Sequence, residues 1–216
     1  MPPNHKNTLL ALGSVLAIAA SATWIYYREF KAPKHNVRLH QRIGEVMAEQ
    51  TARVLGPKGK VLLLIIPTGS APELETQLQA FHRTLAKLGN YDLKEHEFDT
   101  RDQAKYGVGS GLSGRRFLRA IKNNSTADAL VSFVGAPQLS DEELAQLTRM
   151  PKFIAETRSV ENLPKLFEKQ IIQVAVVSRF VFPAPGPQKP RTPQELFDKR
   201  YQVIAADSVA TIPKPE

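Results

Sequence analysis

The sequence predicts an α/β domain built around a doubly wound parallel sheet, and three observations support this fold class. Uninterrupted aliphatic runs such as residues 61–66 are typical of strands buried on both faces, as in parallel sheets covered by helices. Helix-length segments separate these runs, as right-handed βαβ crossovers require. With 216 residues, 42% of them hydrophobic, the chain is long enough for one domain with a substantial core.

The N-terminal region contains a segment with the length and apolarity of a transmembrane helix. Residues 8–27 carry no charge, and these twenty residues, at about 1.5 Å each, span roughly the thickness of the hydrocarbon core. Trp24, Tyr26 and Tyr27 end the segment, where aromatic rings settle at a membrane interface. We therefore expect a tail (1–7), one transmembrane helix (8–27) and a basic juxtamembrane linker (28–35).

A cleaved signal peptide is the alternative interpretation of this segment, because residues 20–22 (Ala-Ser-Ala) form an A-x-A cleavage site. The orientation signals conflict. Basic residues are more frequent after the segment than before it, which favours a cytoplasmic domain. A short basic tail followed by an apolar core instead favours export, and we expect the domain on the extracytoplasmic, periplasmic side.

The net charge of +8 is concentrated near this segment. The first 42 residues have a net charge of +5, because Glu29 is the only acidic residue among six basic ones: Lys6, Arg28, Lys31, Lys34, Arg38 and Arg42. This distribution favours contact with anionic lipid headgroups. Nucleic acid is disfavoured as a partner, since no RNA-binding aromatic motif or zinc finger accompanies the charge. The absence of cysteine excludes disulfides, thiolate metal sites and a catalytic cysteine.

An amphipathic helix over residues 36–55 is predicted to open the folded domain, which we place at 36–206. Asn36 is its expected N-cap and Gly56 ends it. Its apolar stripe is expected to face the core: Leu39, Ile43, Val46, Met47, Val54 and Leu55.

Strands and helices are predicted to alternate through the rest of the domain. The predicted strands are 61–66, 91–98, 129–134, 152–155, 171–177 and 201–205, and we expect 61–66, 129–134 and 171–177 to be adjacent central parallel strands. The predicted helices are 72–88 with Ser70 near its N-cap, 113–122, 140–147 with a capping box of Ser140 and Glu143, 163–169 and 193–199. Residues 207–216 are predicted to form a disordered tail.

The stretches 60–100 (KVLLLIIPTGSAPELETQLQAFHRTLAKLGNYDLKEHEFDT), 117–137 (FLRAIKNNSTADALVSFVGAP) and 150–157 (MPKFIAET) resemble, in their ordered pattern, the first lobe of type I periplasmic-binding proteins. Other flavodoxin-like folds share this pattern. The resemblance implies small-molecule recognition between two lobes, through loops that follow the strands; here these are residues 68–70, Asp99 and 135–137. The chain has room for one lobe, so a partner chain would have to supply the second wall.

The residues themselves point to the same loops. In an open α/β sheet, ligands bind outside the carboxyl ends of the strands where the strand order reverses. Thr68, Gly69 and Ser70 precede a helix N-terminus, whose N–H groups suit an anion. The alternative is that Ser70 only caps the helix.

A glycine-rich segment, residues 107–116 (GVGSGLSGRR), is the second candidate. Its glycines match G-x-G-x-x-G spacing, and Arg115 beside loose N–H donors suits phosphate or carboxylate. A flexible loop before a helix capped by Ser113 explains the same glycines. The predicted ligand-binding residues are Thr68, Gly69, Ser70, Asp99, Gly111, Ser113, Arg115 and Gly135.

No catalytic motif appears in the sequence, and no catalytic residue, metal or cofactor is predicted. The leading hypothesis is a membrane-anchored single-lobe module that binds or senses a small polar or anionic ligand. A non-catalytic structural or assembly subunit of a membrane complex is one alternative, and an enzyme of unknown type is another. Expected partners are the lipid bilayer, the ligand, and a second copy of the chain or another membrane protein.

Overall fold

The computed structural model describes residues 5–26, 35–98, 112–147, 150–179 and 190–212. The chain consists of two compact units, Met1–His35 and Asn36–Glu216.

The first unit contains helix α1, His5–Ile25, which covers most of the predicted transmembrane segment. Its described side chains, from residue 12 onward, are exposed. Among the residues that the structure describes, no helix combines the length and apolarity needed to cross a membrane. The predicted helix is therefore present, but the structure does not support the transmembrane span assigned to residues 8–27.

The second unit is built on a six-stranded sheet with the order β2-β1-β4-β6-β7-β8. A separate parallel pair joins the two-residue strands β3 and β5. The strands are β1 Lys58–Ile65, β2 Asn90–Glu97, β3 Leu112–Ser113, β4 Ala129–Ser132, β5 Pro137–Gln138, β6 Lys152–Thr157, β7 Val174–Ser178 and β8 Tyr201–Ala205. Aliphatic side chains alternate to both faces of β1, which is why its last five residues, 61–65, are all buried.

Helices cover both faces of this sheet. The helices are α2 Val37–Leu55, α3 Pro72–Leu88, α4 Gly114–Asn123, α5 Asp141–Ala145, α6 Leu163–Glu168 and α7 Pro193–Arg200. Side chains of α2, α3 and α7 form one core cluster with the sheet, and those of α4 and α6 form the other. The unit is therefore a three-layer α/β/α domain.

Helix α2 forms as its capping residues and apolar stripe predict. The Asn36 side chain accepts a hydrogen bond from the Leu39 N–H at 3.1 Å, and the Gly56 N–H donates to the Ala52 carbonyl. Four residues of the predicted stripe are buried and two are half-buried: Leu39, Ile43, Val46 and Met47, then Val54 and Leu55.

Two features of the sheet differ from the prediction. Strand β6 lies between β4 and β7, so the runs at 129–134 and 171–177 are not neighbours. Strand β8 runs antiparallel to β7, so the sheet is only mostly parallel. Hydrophobic runs identify buried strands, but their neighbours are chosen by packing between distant segments.

Strand β7 also begins later than predicted. The N–H groups of Ile171 and Ile172 both donate to the Leu166 carbonyl and so complete the turn that ends α6. Gln170, with a φ of 56°, makes this turn in the left-handed region. The chain therefore enters the sheet only at Val174.

The described part of the predicted tail is ordered. Val209–Thr211 form a short 3-10 helix, and Ile212 is buried in the cluster on the α4 and α6 face. Residues 213–216 lie outside the described residues.

Candidate functional site

The strand order reverses at β1, which places a crevice at the carboxyl edge of the sheet. Strands β2 and β4 pair with opposite sides of β1, and both run parallel to it. The Phe98 and Phe133 N–H groups donate to the Ile65 and Leu64 carbonyls, so the segments that follow β2 and β4 leave beside the end of β1. Ligands of open α/β sheets bind at such a reversal.

The loop after β1 contains three predicted site residues. Thr68–Ser70 form a 3-10 turn, and the Ala71 N–H donates to the Thr68 carbonyl at 2.9 Å. Ala71, and not Ser70, is the N-cap of α3, without a side-chain capping bond. Glu73 and Glu75 lie in the first turn of α3, so the positive end of the helix dipole already has two carboxylates beside it.

The turn after β4 contains Gly135, whose φ of 100° lies in the left-handed region that favours glycine. The buried Ser132 hydroxyl donates to the Gly135 carbonyl at 2.7 Å and accepts from the Val134 N–H at 3.3 Å. These bonds fix the backbone of the turn. Because β1 and β4 are neighbours, this turn and the 68–70 loop border the same crevice.

Ser113 and Arg115 belong to the segment that meets the chain just after the Gly135 turn. The β3–β5 pair places Ser113 opposite Gln138. Ser113 occupies the N-cap position of α4 without a side-chain capping bond, and both Ser113 and Arg115 are exposed. The structure therefore positions them beside the turn by backbone pairing.

A carboxylate of the chain itself occupies the start of α4. A Cβ built on Gly114 would lie 2.0 Å from Glu143 Oε2. Glu143 is held there by the capping box of α5, in which its Oε2 accepts from the Ser140 N–H at 3.0 Å. The helix end that was expected to attract an anionic ligand thus already faces an anion.

The remaining two predicted residues, Asp99 and Gly111, lie outside the described residues. Of the eight, Thr68, Gly69, Ser70 and Gly135 belong to loops that leave neighbouring strands. Ser113 and Arg115 join them through the β3–β5 pair.

Glu156, near the carboxyl end of β6, is a further candidate and is not among the residues predicted from the sequence. It is partly buried, and it forms a hydrogen bond with the Tyr201 hydroxyl at the start of β8. Burial raises the pKa of this carboxyl to about 7, with a further rise from Glu73; Arg158 and the Tyr201 hydrogen bond oppose the shift. The sequence did contain a signal for this residue, because Glu156 is an acidic residue in the mainly apolar strand sequence FIAET, residues 153–157.

Two cavities among the described residues lie away from this crevice. One, of about 500 Å³, runs along β8 between α2 and α7. The other, of about 460 Å³, lies beside α4 and is lined mainly by apolar side chains. None of the six predicted site residues that the structure describes lines either cavity. Within the described ranges, no group of three or more acidic or histidine side chains is placed to hold a metal ion.

Comparison with known proteins places the fold. No family model and no curated protein matches the sequence. A solute-binding protein of an ABC transporter from Burkholderia graminis C4D1M, in complex with D-arabinose, is 16% identical with a TM-score of 0.53, over 81% of this chain and 62% of that chain. AraP, an arabinose-binding protein from Geobacillus stearothermophilus, is 13% identical with a TM-score of 0.54, over 80% of this chain and 62% of that one.

GanP, a glucose-galactose-binding protein from Geobacillus stearothermophilus, is also similar, at 12% identity and a TM-score of 0.51, over 79% of this chain and 61% of that one. The chain has a fold similar to that of periplasmic sugar-binding proteins. The predicted resemblance to type I periplasmic-binding proteins is therefore confirmed. The chain spans about three fifths of the length of these structures.

Proposed function

We propose that the α/β unit is a ligand-binding module that holds a small, neutral polar molecule at the carboxyl edge of its sheet. The reversal of strand order at β1 carries this proposal, because it sets the 68–70 loop beside the Gly135 turn. The fold similarity to arabinose- and glucose-galactose-binding proteins supports a monosaccharide as the ligand class.

The sequence left a polar or an anionic ligand open, and the charges around the crevice favour a neutral polar ligand over an anion. Glu73 and Glu75 stand at the start of α3, Glu143 stands at the start of α4, and Glu156 lies near the end of β6. The carboxylates of Glu73, Glu75 and Glu143 would repel an anion. Sugar hydroxyls, in contrast, donate to carboxylates and accept from backbone N–H groups.

A single lobe provides one wall of such a site. A ligand on one wall stays partly hydrated and loses less polar surface to the protein, so its affinity should be no better than about micromolar. A second copy of the chain or a partner chain that closes over the crevice would raise this affinity.

Isothermal titration calorimetry of the full chain with D-arabinose, D-glucose and D-galactose tests the proposal. We expect saturable binding of at least one sugar, and weaker binding of glucuronate, which adds a negative charge. Glu156→Gln should change this affinity, while Glu161→Gln, at an exposed position, should not. If no neutral sugar binds at millimolar concentration, the proposal is wrong.

We also infer that the N-terminal helix tethers the α/β unit to a lipid bilayer, with that unit on the extracytoplasmic side. The uncharged sequence 8–27 and the exposed apolar residues of α1, such as Leu16, Ile18 and Trp24, support the tether.

The full chain should stay with membranes at high salt, and a chain that starts at Asn36 should be released. Protease added outside the inner membrane should digest the α/β unit. A mature protein beginning at Thr23 would contradict the tether.

A further inference from the structure

A groove of about 500 Å³ lies along β8, between the middle of α2 and α7, and we call it the β8 groove. Val46 and Phe197 are among the apolar residues that line it; Gln50, Arg179, Asp198 and Val203 supply polar groups. Its volume is in the range of small-molecule sites. The 68–70 loop and the Gly135 turn do not contribute to it, so an inference about this groove is independent of the proposed sugar site.

The outer edge of β8 is closed at both ends by local hydrogen bonds. At one end the Tyr201 N–H donates to the Phe197 carbonyl, and the Tyr201 carbonyl accepts from Arg179 Nε at 3.1 Å. At the other end the Ala205 N–H donates to Ser208 Oγ at 2.9 Å, and the Ala205 carbonyl accepts from the Ser208 N–H at 3.0 Å. These caps prevent a whole strand from adding to the edge.

Val203 lies between the two capped residues. Backbone groups of alternate residues point to the same side of an antiparallel strand, so those of Val203 face outward with those of Tyr201 and Ala205. Val203 lines the groove. The N–H and carbonyl groups of Val203 therefore face the groove. A small molecule could bond to both without pairing along the whole strand.

The side-chain oxygen of Gln50 is a hydrogen-bond acceptor that no described donor satisfies. This Oε1 atom is buried, and no hydrogen-bond partner lies within reach among the described residues. Buried polar atoms in proteins almost always have a partner, so an unpaired one on the wall of a groove indicates a donor supplied from outside.

The charges of the groove leave one cation and one anion for a ligand. Arg42 is already paired within the chain: Nε donates to Gln194 Oε1 at 2.7 Å, and the terminal nitrogens donate to Glu45 at 3.1 Å and to Glu49 at 2.7 and 3.1 Å. Within the described ranges, Arg179 donates a hydrogen bond only through Nε, to the Tyr201 carbonyl. Its terminal nitrogens remain as donors for a ligand. Asp198 accepts one bond through Oδ1, from Gln194, and among the described residues no hydrogen bond to its Oδ2 is formed.

We propose that the β8 groove binds a free α-amino acid or a similarly small zwitterion. The ligand carboxylate faces the Arg179 guanidinium and the Val203 N–H, and the ammonium group donates to Gln50 Oε1 with Asp198 as its counter-charge. A neutral sugar would leave the two charges unused, and a dianion would face Asp198 without compensation.

Calorimetric titration of the full chain with each of the twenty amino acids, at pH 7, tests this assignment. Each amino acid that binds is compared with its amide, which lacks the carboxylate, and with its deaminated acid, which lacks the ammonium group. Each loss should weaken binding by about tenfold or more, as expected for a charge-assisted hydrogen bond.

Two variants and two matched controls locate the site. Gln50→Leu and Arg179→Gln should each weaken binding by at least about tenfold, whereas Gln79→Leu and Arg53→Gln, at exposed positions, should leave it unchanged. Gln50→Leu should also raise the melting temperature of the ligand-free chain, because it removes the unpaired acceptor; this readout shows that the variant is folded.

Three results would overturn the proposal: no saturable binding of any amino acid at millimolar concentration, equal binding of the deaminated acids, or unchanged affinity in both groove variants. Failure of sugar binding alone would leave the proposal intact, because the two sites share none of the residues on which it rests.

Discussion

Gly44 in α2 lies directly against the main chain of Gln77 in α3: a Cβ built on Gly44 would be 2.1 Å from the Gln77 carbonyl oxygen. The same pair of helices is joined by a hydrogen bond between Gln77 Nε2 and His40 Nδ1 at 3.1 Å. The backbones of the two helices therefore approach too closely for any side chain at position 44.

Gly44→Ala should destabilise the α/β unit by about 1–3 kcal/mol, because the methyl group forces two packed helices apart. Urea denaturation followed by circular dichroism measures the loss. Gly69→Ala is the matched control, since no described residue other than its chain neighbours has an atom within 4 Å of a Cβ added there, and it should change stability by much less. Equal stability of the two variants would show that α2 and α3 do not pack as described.

Leu63→Asp should prevent folding. Leu63 lies in the middle of β1 and is 0% exposed, so an aspartate there would place an unpaired charge between two helical layers. Such a burial costs several kcal/mol, comparable with the whole stability of a domain.

The matched control for this substitution is Leu88→Asp, because Leu88 is 43% exposed at the end of α3. Heteronuclear NMR spectra of the two variants should be collapsed for Leu63→Asp and dispersed for Leu88→Asp. A dispersed spectrum from Leu63→Asp would contradict the placement of β1 in the core.

Local chemistry made the helices and buried strands predictable. The Asn36 cap and the Ser140–Glu143 capping box form as their residue types indicate, because each depends on atoms within one turn of helix. The aliphatic run at 61–66 could likewise be predicted as a buried strand, because consecutive aliphatic residues are themselves the signal. The loops at 68–70 and Gly135 were predictable because they follow such strands.

Features that depend on distant partners were not predictable. The position of β6 between β4 and β7 is set by pairing with both, and the reversed direction of β8 by its pairing with β7. Glu156 is held by a hydrogen bond to Tyr201, which lies far along the chain. Glu143 reaches Gly114 only when α4 and α5 are assembled. No local pattern encodes these contacts.

Ser140→Ala should destabilise the α/β unit by about 1 kcal/mol, because Ser140 Oγ accepts the Glu143 N–H at 3.2 Å at the start of α5. Thermal unfolding of the variant measures this change. Ser125→Ala, at an exposed serine before β4, is the control and should have no effect. A melting temperature that is equal in both variants would show that the capping box does not contribute to stability.

The stability of the α/β unit should fall as the pH rises from about 4.5 to about 7. Burial raises the pKa of Glu156 to about 7 from an ordinary value of 4.5, with a smaller contribution from Glu73. Between these values the folded chain holds a proton that the unfolded chain has lost, so rising pH favours unfolding. Above pH 7 the carboxylate is ionised in both states and the full cost of burying its charge remains.

Glu156→Gln should remove this cost, since glutamine keeps an oxygen that can accept the Tyr201 hydrogen bond and carries no charge at any pH. The variant should be more stable than the original chain by about 3 kcal/mol at pH 8, and the two should converge near pH 4.5. Urea denaturation at several pH values measures both curves. The exposed Glu161→Gln variant should follow the original chain throughout. If the Glu156→Gln variant and the original chain instead lose the same amount of stability between pH 5 and pH 8, another group causes the pH dependence.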